Sequence, residues 1–409
     1  MLNRPEPDQA MNPEAAARTS THAGELAARV ARVMNNVIAL RRHLHAHPEL
    51  SGEEEQTAAH IAGLLEDEGI PVRRGIGGHG LLARIETDAE RPWVALRADM
   101  DALPIPDGKQ CDWASGVDGV SHACGHDAHA AMLYGAARVL HSMRDALNCN
   151  VACIFQPAEE TASGARAMLA DGVFRDIRPE RIHALHVYPW LPAGSLGLKD
   201  GPMCAAADMF DVEIEGRGGH AARPHECVDV ILIASHIIQA LHHIVSRRVN
   251  PLNPAVLTIG QIHAGSAANV IPGCARFSGT VRSLHPETHE EIRLRMDRII
   301  RQTAETWGAV ARFHMRQAIP VLTNDESVMA LVRRKLGRHL PETPLIELEE
   351  PSMGGEDFAD FLEEIPGALI RLGTGGDPST RYPLHHPCFD VDESALETGV
   401  AALASLCLD

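Results

Sequence analysis

Nine residues, Ser121-His122-Ala123-Cys124-Gly125-His126-Asp127-Ala128-His129, hold one thiol, three imidazoles and a carboxylate. These are the side chains that bind divalent cations, and at this density they read as a metal site. Cys124 and His126 flank Gly125, which lets backbone approach closely, so the loop can aim both donors at one or two ions. Further acid and imidazole clusters lie at Asp99-Met100-Asp101, Glu159-Glu160, His186 and His385-His386. Together they suggest a metallohydrolase.

Each of these features also has a plainer reading. A buried cysteine is usually small apolar filler, and Cys149, Cys153, Cys204, Cys274 and Cys407 are read that way. A lone histidine in an apolar setting, such as His186 in Ala184-Leu185-His186-Val187, is more often a core residue than a ligand, and the same holds for His385. A tandem of acids is most often a solvated edge. Number shifts the balance: Cys124, His126, Glu160, His186 and His385 supply five donors, enough for two tetrahedral ions that share Cys124. Beside a metal, one carboxylate of the pair can ligate the ion while its uncoordinated neighbour takes a proton from water and passes it to a leaving amine. Like-charge repulsion raises the pKa of that free acid toward the useful range. A Cys–His nucleophile pair is the competing chemistry, but it leaves the tandem acids unexplained.

The elements that must position these groups are legible in the apolar pattern. Helical spacing runs from Leu26 to His45 and from Gln56 to Glu68, ahead of the Gly69-Ile70-Pro71 stop. Runs of strand length follow at Leu81–Ile85, Trp93–Ala98, Val151–Phe155 and Ile182–Val187, separated by helical patterns at Ala128–Met143 and Gly164–Asp171. Alternation of this kind predicts an α/β sheet covered on both faces. The acidic and imidazole clusters follow or end three of the strands, and ligands of open α/β sheets bind beyond the carboxyl ends of strands. From Met209 to Arg316 the order changes to strand, helix, two strands, helix, strand. That βαββαβ order is the ferredoxin-like arrangement, read as a second domain at 208–317 inserted into a first domain formed by 1–207 and 318–409. Val328–Leu340 and Ala368–Gly373 then resume the helix-and-strand rhythm.

Composition narrows the function classes. At 409 residues two domains are the natural expectation, and a net charge of −18, with 37 basic residues scattered among 55 acids, argues against a nucleic-acid partner. The most apolar stretch, Val228–Val245, is interrupted by Ser235, His236, Gln239, His242 and His243, so it is read as a buried helix and no membrane is expected. Residues 1–25 carry no basic start followed by an apolar core, and nine cysteines without a CxxC pair fit a reducing compartment. The expected location is the cytoplasm.

With these residues on view, the chain resembles the M20 metallopeptidase superfamily. The likeness is to its aminoacylase and amidohydrolase branch of hippurate, indole-acetyl-amino acid and N-acetyl-diaminopimelate hydrolases. The matching segments are Arg42-His43-Leu44-His45 with Pro48-Glu49-Leu50, Arg97 to Pro104, His122 to Asp127, Phe155 to Glu160, Ala184 to Val187, Arg217 to Ala221, Ala268 to Pro272, Gly279 to Arg282, Met353 to Phe358 and Leu384 to Pro387. The resemblance implies a zinc-exopeptidase-like catalytic domain with helices on both faces of a mixed sheet, and an inserted dimerisation or lid domain. It implies two divalent ions, zinc or manganese with cobalt or nickel as alternatives, on Cys124, His126, Glu160, His186 and His385. It also implies Glu159 as general base and acid, Asp101 as a supporting carboxylate, and His220, Asn269, Arg282 and Gly355 as substrate-binding positions. The implied reaction is hydrolysis of a small-molecule N-acyl amino acid by a homodimer or higher homo-oligomer, with dipeptide or amine hydrolysis and simple metal binding as the alternatives. Gly273-Cys274 and Gly373-Thr374-Gly375-Gly376 depart from the commoner family pattern, which leaves the acyl pocket and the rim of the site as the least transferable parts.

Overall fold

A computed structural model describes residues 13–409. Residues 1–12, the start of the segment read for a leader, lie outside the described residues. Along the chain come α1 (Pro13–Ala46), α2 (Glu55–Asp67), β1 (Val72–Ile76), β2 (Gly80–Ile85), β3 (Trp93–Asp99), α3 (His126–Ser142), β4 (Asn150–Gln156), α4 (Gly164–Ala170), β5 (Pro179–Pro192) and β6 (Leu196–Leu198). Next are β7 (Gly201–Cys204), β8 (Ala206–Glu215), β9 (Gly219–His220), α5 (Val230–Arg248), β10 (Ala255–Ala264), β11 (Val270–Ile271), β12 (Cys274–Ser283), α6 (Pro286–Thr306), β13 (Val310–Ile319) and β14 (Leu322–Asn324). The chain ends with α7 (Glu326–His339), β15 (Leu345–Glu347), α8 (Phe358–Glu364), β16 (Gly367–Gly375) and α9 (Ala395–Ser405).

The described chain forms two compact units. The first holds the residues up to Leu198 together with Asp325–Glu347 and Ile365–Asp409. Its sheet has the order β1-β2-β4-β3-β5-β16-β6-β15, with β4, β3, β5 and β16 mutually parallel at the centre, antiparallel pairs at β1-β2, β2-β4 and β16-β6, and a parallel pair β6-β15 at the far edge. All seven residues of β4 and all nine of β16 are buried, which is how a strand covered on both faces reads. Leu26, Val30, Val33, Val37, Leu40 and Leu44 recur at three- and four-residue steps on α1 and share one core with the Ala-rich helices α3 and α9. Small residues there let helix backbones come close: a Cβ at Gly135 of α3 would lie 2.6 Å from Val37 Cγ2. Arg41 of α1, also buried, pairs with Asp127 in the first turn of α3 at 2.9 Å and with Asp390 and Glu393.

The second unit comprises Lys199–Asn324 and Leu348–Glu364. Its four-stranded antiparallel sheet has the order β10-β12-β8-β13, and α5 and α6 share its core. This is the βαββαβ order with ferredoxin-like strand neighbours. The unit reaches beyond the 208–317 span expected for it, for a reason too local to show in an apolar pattern. β7 pairs antiparallel with β14, and the 348–364 segment is tied to β7 through Ser352 N–H on Met203 O and Ala205 N–H on Ser352 O. Helix α5 was expected to be buried; only one face is. Val230, Ile233, Ala234, Ile237, Leu241 and Ile244 are enclosed, whereas Ile231 and Leu232 are 47% and 52% exposed.

Candidate metal centre

In the first unit, three loops and one strand deliver the chemistry. The Cys124 loop turns into α3 at Gly125, whose φ of +87° lies in the left-handed region and whose missing Cβ would stand 2.6 Å from Val187 Cγ2. Glycine is therefore required there on two counts. Glu159 and Glu160 follow β4 by way of Ala158, a non-glycine residue at φ +53°. That unfavourable backbone is held by Ala158 N–H on Glu54 Oε1 at 2.8 Å and by Gly164 N–H on Ala158 O at 3.1 Å. His385 also has a left-handed backbone, φ +66°, and its N–H donates to Ala123 O at 2.8 Å, beside the thiol. His186 was expected at the end of its strand. Instead β5 runs on to Pro192, and His186 lies just past the stretch paired with β3, since that pairing stops at Arg97 opposite Ala184.

These routes bring the five expected donors together. Potential ligand atoms of Cys124, His126 and His186 lie within 4.8 Å of one another, and so do those of Cys124, Glu160 and His385. Cys124 belongs to both sets. A third set of the same spread joins Glu159 to His126 and Glu160. His126 Nδ1–H donates to Asp101 Oδ1 at 2.9 Å, which leaves Nε2 as the ligand atom, and that Nε2 is buried with no hydrogen-bond partner. Glu160 Oε1 is likewise buried and unpartnered. Orphaned polar atoms in an enclosed site are costly unless an ion satisfies them, so this donor set fits a cation. Asp101 serves both sides of the cluster: its Oδ2 accepts Ser51 Oγ at 2.7 Å and the backbone N–H of Glu160 at 2.9 Å.

Electrostatics point the same way. Burial, with the negative charge of Glu160 added, pushes the Cys124 thiol well above its ordinary value, and burial pushes the Glu160 carboxyl up to about 7. Burial also drives His186 well below the usual imidazole value, with nearby His129 adding to the effect, so its ring is neutral and able to ligate. At His126 burial opposes protonation, but Asp99 and Cys124 outweigh it and raise the pKa. A dication reverses the penalties on thiolate and carboxylate and competes with the proton on His126. In Asp101 the cost of burial is overcome by the His126 hydrogen bond, which keeps the carboxylate below its ordinary range.

The remaining expected residues lie in the second unit. His220 is exposed on β9, its Nδ1 accepting the Ala222 N–H at 3.1 Å, and Asn269 is exposed just before β11, its carbonyl accepting the Ala221 N–H at 3.2 Å. Arg282 on β12 donates from Nη1 to Met353 O at 3.0 Å. A Cβ on Gly355 would meet Ala207 Cβ at 2.9 Å. Sequence reasoning counted Asp99 and His129 only among the clustered candidate groups and gave no individual role to them or to Arg97, yet the structure links the three in one buried network. The signal was present: Arg97 and Asp99 share a face of β3 at two-residue spacing, and His129 follows His126 by three residues on α3.

An α/β sheet whose central parallel strands lead to a cluster of thiol, imidazole and carboxylate donors defines a metal-dependent hydrolase scaffold. The chain belongs to the peptidase family M20/M25/M40, whose model matches residues 95–409. It is 43% identical over 360 residues to the N-acetyl-L-cysteine deacetylase of Bacillus subtilis, covering 88% of this chain and 84% of that protein. It is 35% identical to the IAA-amino acid hydrolase ILR1-like 2 of Arabidopsis thaliana, over 91% of this chain and 85% of that one. Among solved structures, the Bacillus subtilis YXEP protein, described as a dinuclear metal binding peptidase from the M20 family, superposes with a TM-score of 0.80 at 36% identity, covering 92% of this chain and 98% of that one.

Proposed function

We propose that the protein is a dimetal amidohydrolase that cleaves N-acyl amino acids to a carboxylate and a free amino acid. The observation that carries this reading is the pair of donor sets sharing Cys124, with Glu159 beside them and outside the set of five. The relatives named for N-acetylcysteine and IAA-amino acid hydrolysis support the substrate class. Cys124, His126, Glu160, His186 and His385 would hold two divalent ions, zinc or manganese, with cobalt or nickel as substitutes. Bound there, the ions supply positive charge that polarises an amide carbonyl and makes water acidic near neutral pH.

The chain's own groups do the rest. Glu159 takes a proton from the attacking water and delivers it to the amide nitrogen as the C–N bond breaks. Asp101 fixes the His126 tautomer and anchors the Glu160 backbone, so the ligands stay in place while the proton moves. His220, Asn269, Arg282 and Gly355 are assigned to holding the substrate, with Arg282 suited to its free carboxylate. The second unit is assigned to dimerisation or to covering the substrate.

One panel tests the proposal: metal-loaded protein with acetyl-, benzoyl- and indole-acetyl-amino acids, dipeptides and amine substrates, each with a chelator control. Chelator-sensitive release of free amino acid from the N-acyl substrates is expected. Turnover confined to dipeptides or amines redirects the substrate class, and metal binding without turnover of any substrate rejects the enzyme reading.

A further inference from the structure

Of the three imidazoles in the 121–129 run, His122 and His129 are used by neither the donor set nor the proton transfer, and His129 is 1% exposed. Both ring nitrogens are engaged. Nδ1–H donates to Asp99 Oδ1 at 2.6 Å, so Nε2 carries the lone pair, which accepts the backbone N–H of Val187 at 2.9 Å. Asp99 is held in turn by Arg97, Nη1 to Oδ2 at 2.8 Å, and Arg97 Nε donates to Gln156 Oε1 at 2.8 Å. This buried chain of hydrogen bonds crosses from β4 through β3 and α3, and it ends on the peptide next to His186.

Topology explains why that peptide needs a side-chain partner. Pairing of β3 with β5 stops at Arg97 opposite Ala184, yet β5 continues to Pro192. Beyond that point an N–H on the β3 side has no ladder pairing with β3 to receive it, and a buried N–H without an acceptor is costly. The His129 ring takes the place of the missing ladder acceptor. On the same stretch His186 Nδ1–H donates to Val187 O at 2.8 Å, which leaves its Nε2 facing Cys124 Sγ at 3.8 Å. The two imidazoles meet edge to face with centroids 4.6 Å apart. His129 thus anchors the backbone that carries His186 and also forms the wall against which the His186 ring stands.

We infer that His129 is a positioning residue: through Val187 it holds His186 in the orientation and tautomer that present Nε2 to a metal ion. The inference rests on the metal-centre reading above and adds to it a residue that touches neither ion nor substrate. Outer partners of ligating histidines change metal affinity by roughly 10–100-fold, and the same range is expected here, exerted through the main chain.

Cobalt(II) is the probe, because a thiolate-to-cobalt absorption band reports Cys124 and the ligand geometry together. His129→Asn keeps a donor for Asp99 but is too short to accept from Val187, whereas His129→Gln restores an acceptor near the Nε2 position. With thermal unfolding of the chelator-stripped proteins unchanged, H129N is expected to bind cobalt about 10–100-fold more weakly in chelator competition, with an altered band, and H129Q to recover most of both. A folded H129N that binds cobalt like the wild type overturns the inference. Should H129N fail to fold, stripped wild-type protein labelled with 15N-histidine decides the matter. Its spectrum must show His129 as the neutral Nδ1–H tautomer with a hydrogen-bonded Nε2, and an Nε2–H tautomer overturns the inference. Wild-type protein that gives no cobalt–thiolate band at all refutes the metal-centre reading itself, an outcome distinct from any difference between variants.

Discussion

Glu159 carries the proposed proton transfer, so Glu159→Gln is the sharpest single-residue test. The amide keeps the size of the side chain and removes its basicity. Turnover is expected to fall by about 10²–10⁴-fold with metal content unchanged by elemental analysis. A different residue contributes to the acid limb of stability. His183 on β5 is fully buried with neither ring nitrogen hydrogen-bonded, and burial, helped by Arg181 and Lys335, pushes its pKa down to about 3. Between about pH 6.5 and 3 the unfolded chain therefore binds a proton that the folded chain refuses. The contribution is fully present above 6.5 and is lost as pH falls toward 3. His183→Leu removes this titration, so its melting temperature should drop less than that of the wild type between pH 7 and pH 5, measured by scanning fluorimetry. Parallel pH profiles would reject the assignment.

Among the elements, the turn from the Cys124 loop into α3 and the overhang of β5 past β3 decide where the donors meet. Gly125 sits where both features touch, through Val187. Gly125→Ala must strain a left-handed backbone and displace Val187, at a cost of about 1–3 kcal/mol. A lower melting temperature should come with weaker metal retention, because Cys124 and His126 flank the substituted residue; normal metal retention in a destabilised protein would separate the turn from the site. The tandem acids depend on a similar device. Ala158 is held in its left-handed conformation by Glu54, whose carboxyl burial pushes upward and which also accepts the Gly52 N–H at 2.8 Å. Strain at Ala158, which leads into Glu159, and at His385, itself an expected donor, is the pattern of a site whose geometry the surrounding hydrogen bonds impose.

At the scale of the whole molecule, the five donors all belong to one unit, and His126 and His186, although they lie on α3 and β5, are not among the apolar residues that pack α1, α3, α9 and the central strands together. Removing the ions should therefore abolish turnover without unfolding the protein. A chelator is expected to leave far-ultraviolet circular dichroism unchanged and lower the melting temperature, and metal restored at about 100 times its Kd should return about 2.7 kcal/mol of stability. Loss of secondary structure on chelation would show the ions to be structural. Cys124, His126, Glu160, His186 and His385 were legible in the amino-acid order because thiol, imidazole and paired acids are chemically uncommon near strand ends. The βαββαβ order was legible because ten-residue strands and twenty-residue helices carry a clear period. Strands of two to four residues such as β7, β9, β11 and β14 carry no such period, so the extent of the second unit appeared only with its pairings. The order β4-β3-β5-β16, the overhang that makes Val187 seek an acceptor, and the burial that makes His129 that acceptor arise from contacts between residues far apart in the chain. The sequence by itself determined which atoms can bind a metal and which elements carry them; only the tertiary structure decided which histidines turn their free nitrogen toward the donor cluster and which stand behind it, because burial and hydrogen-bond geometry exist only once the strands are side by side.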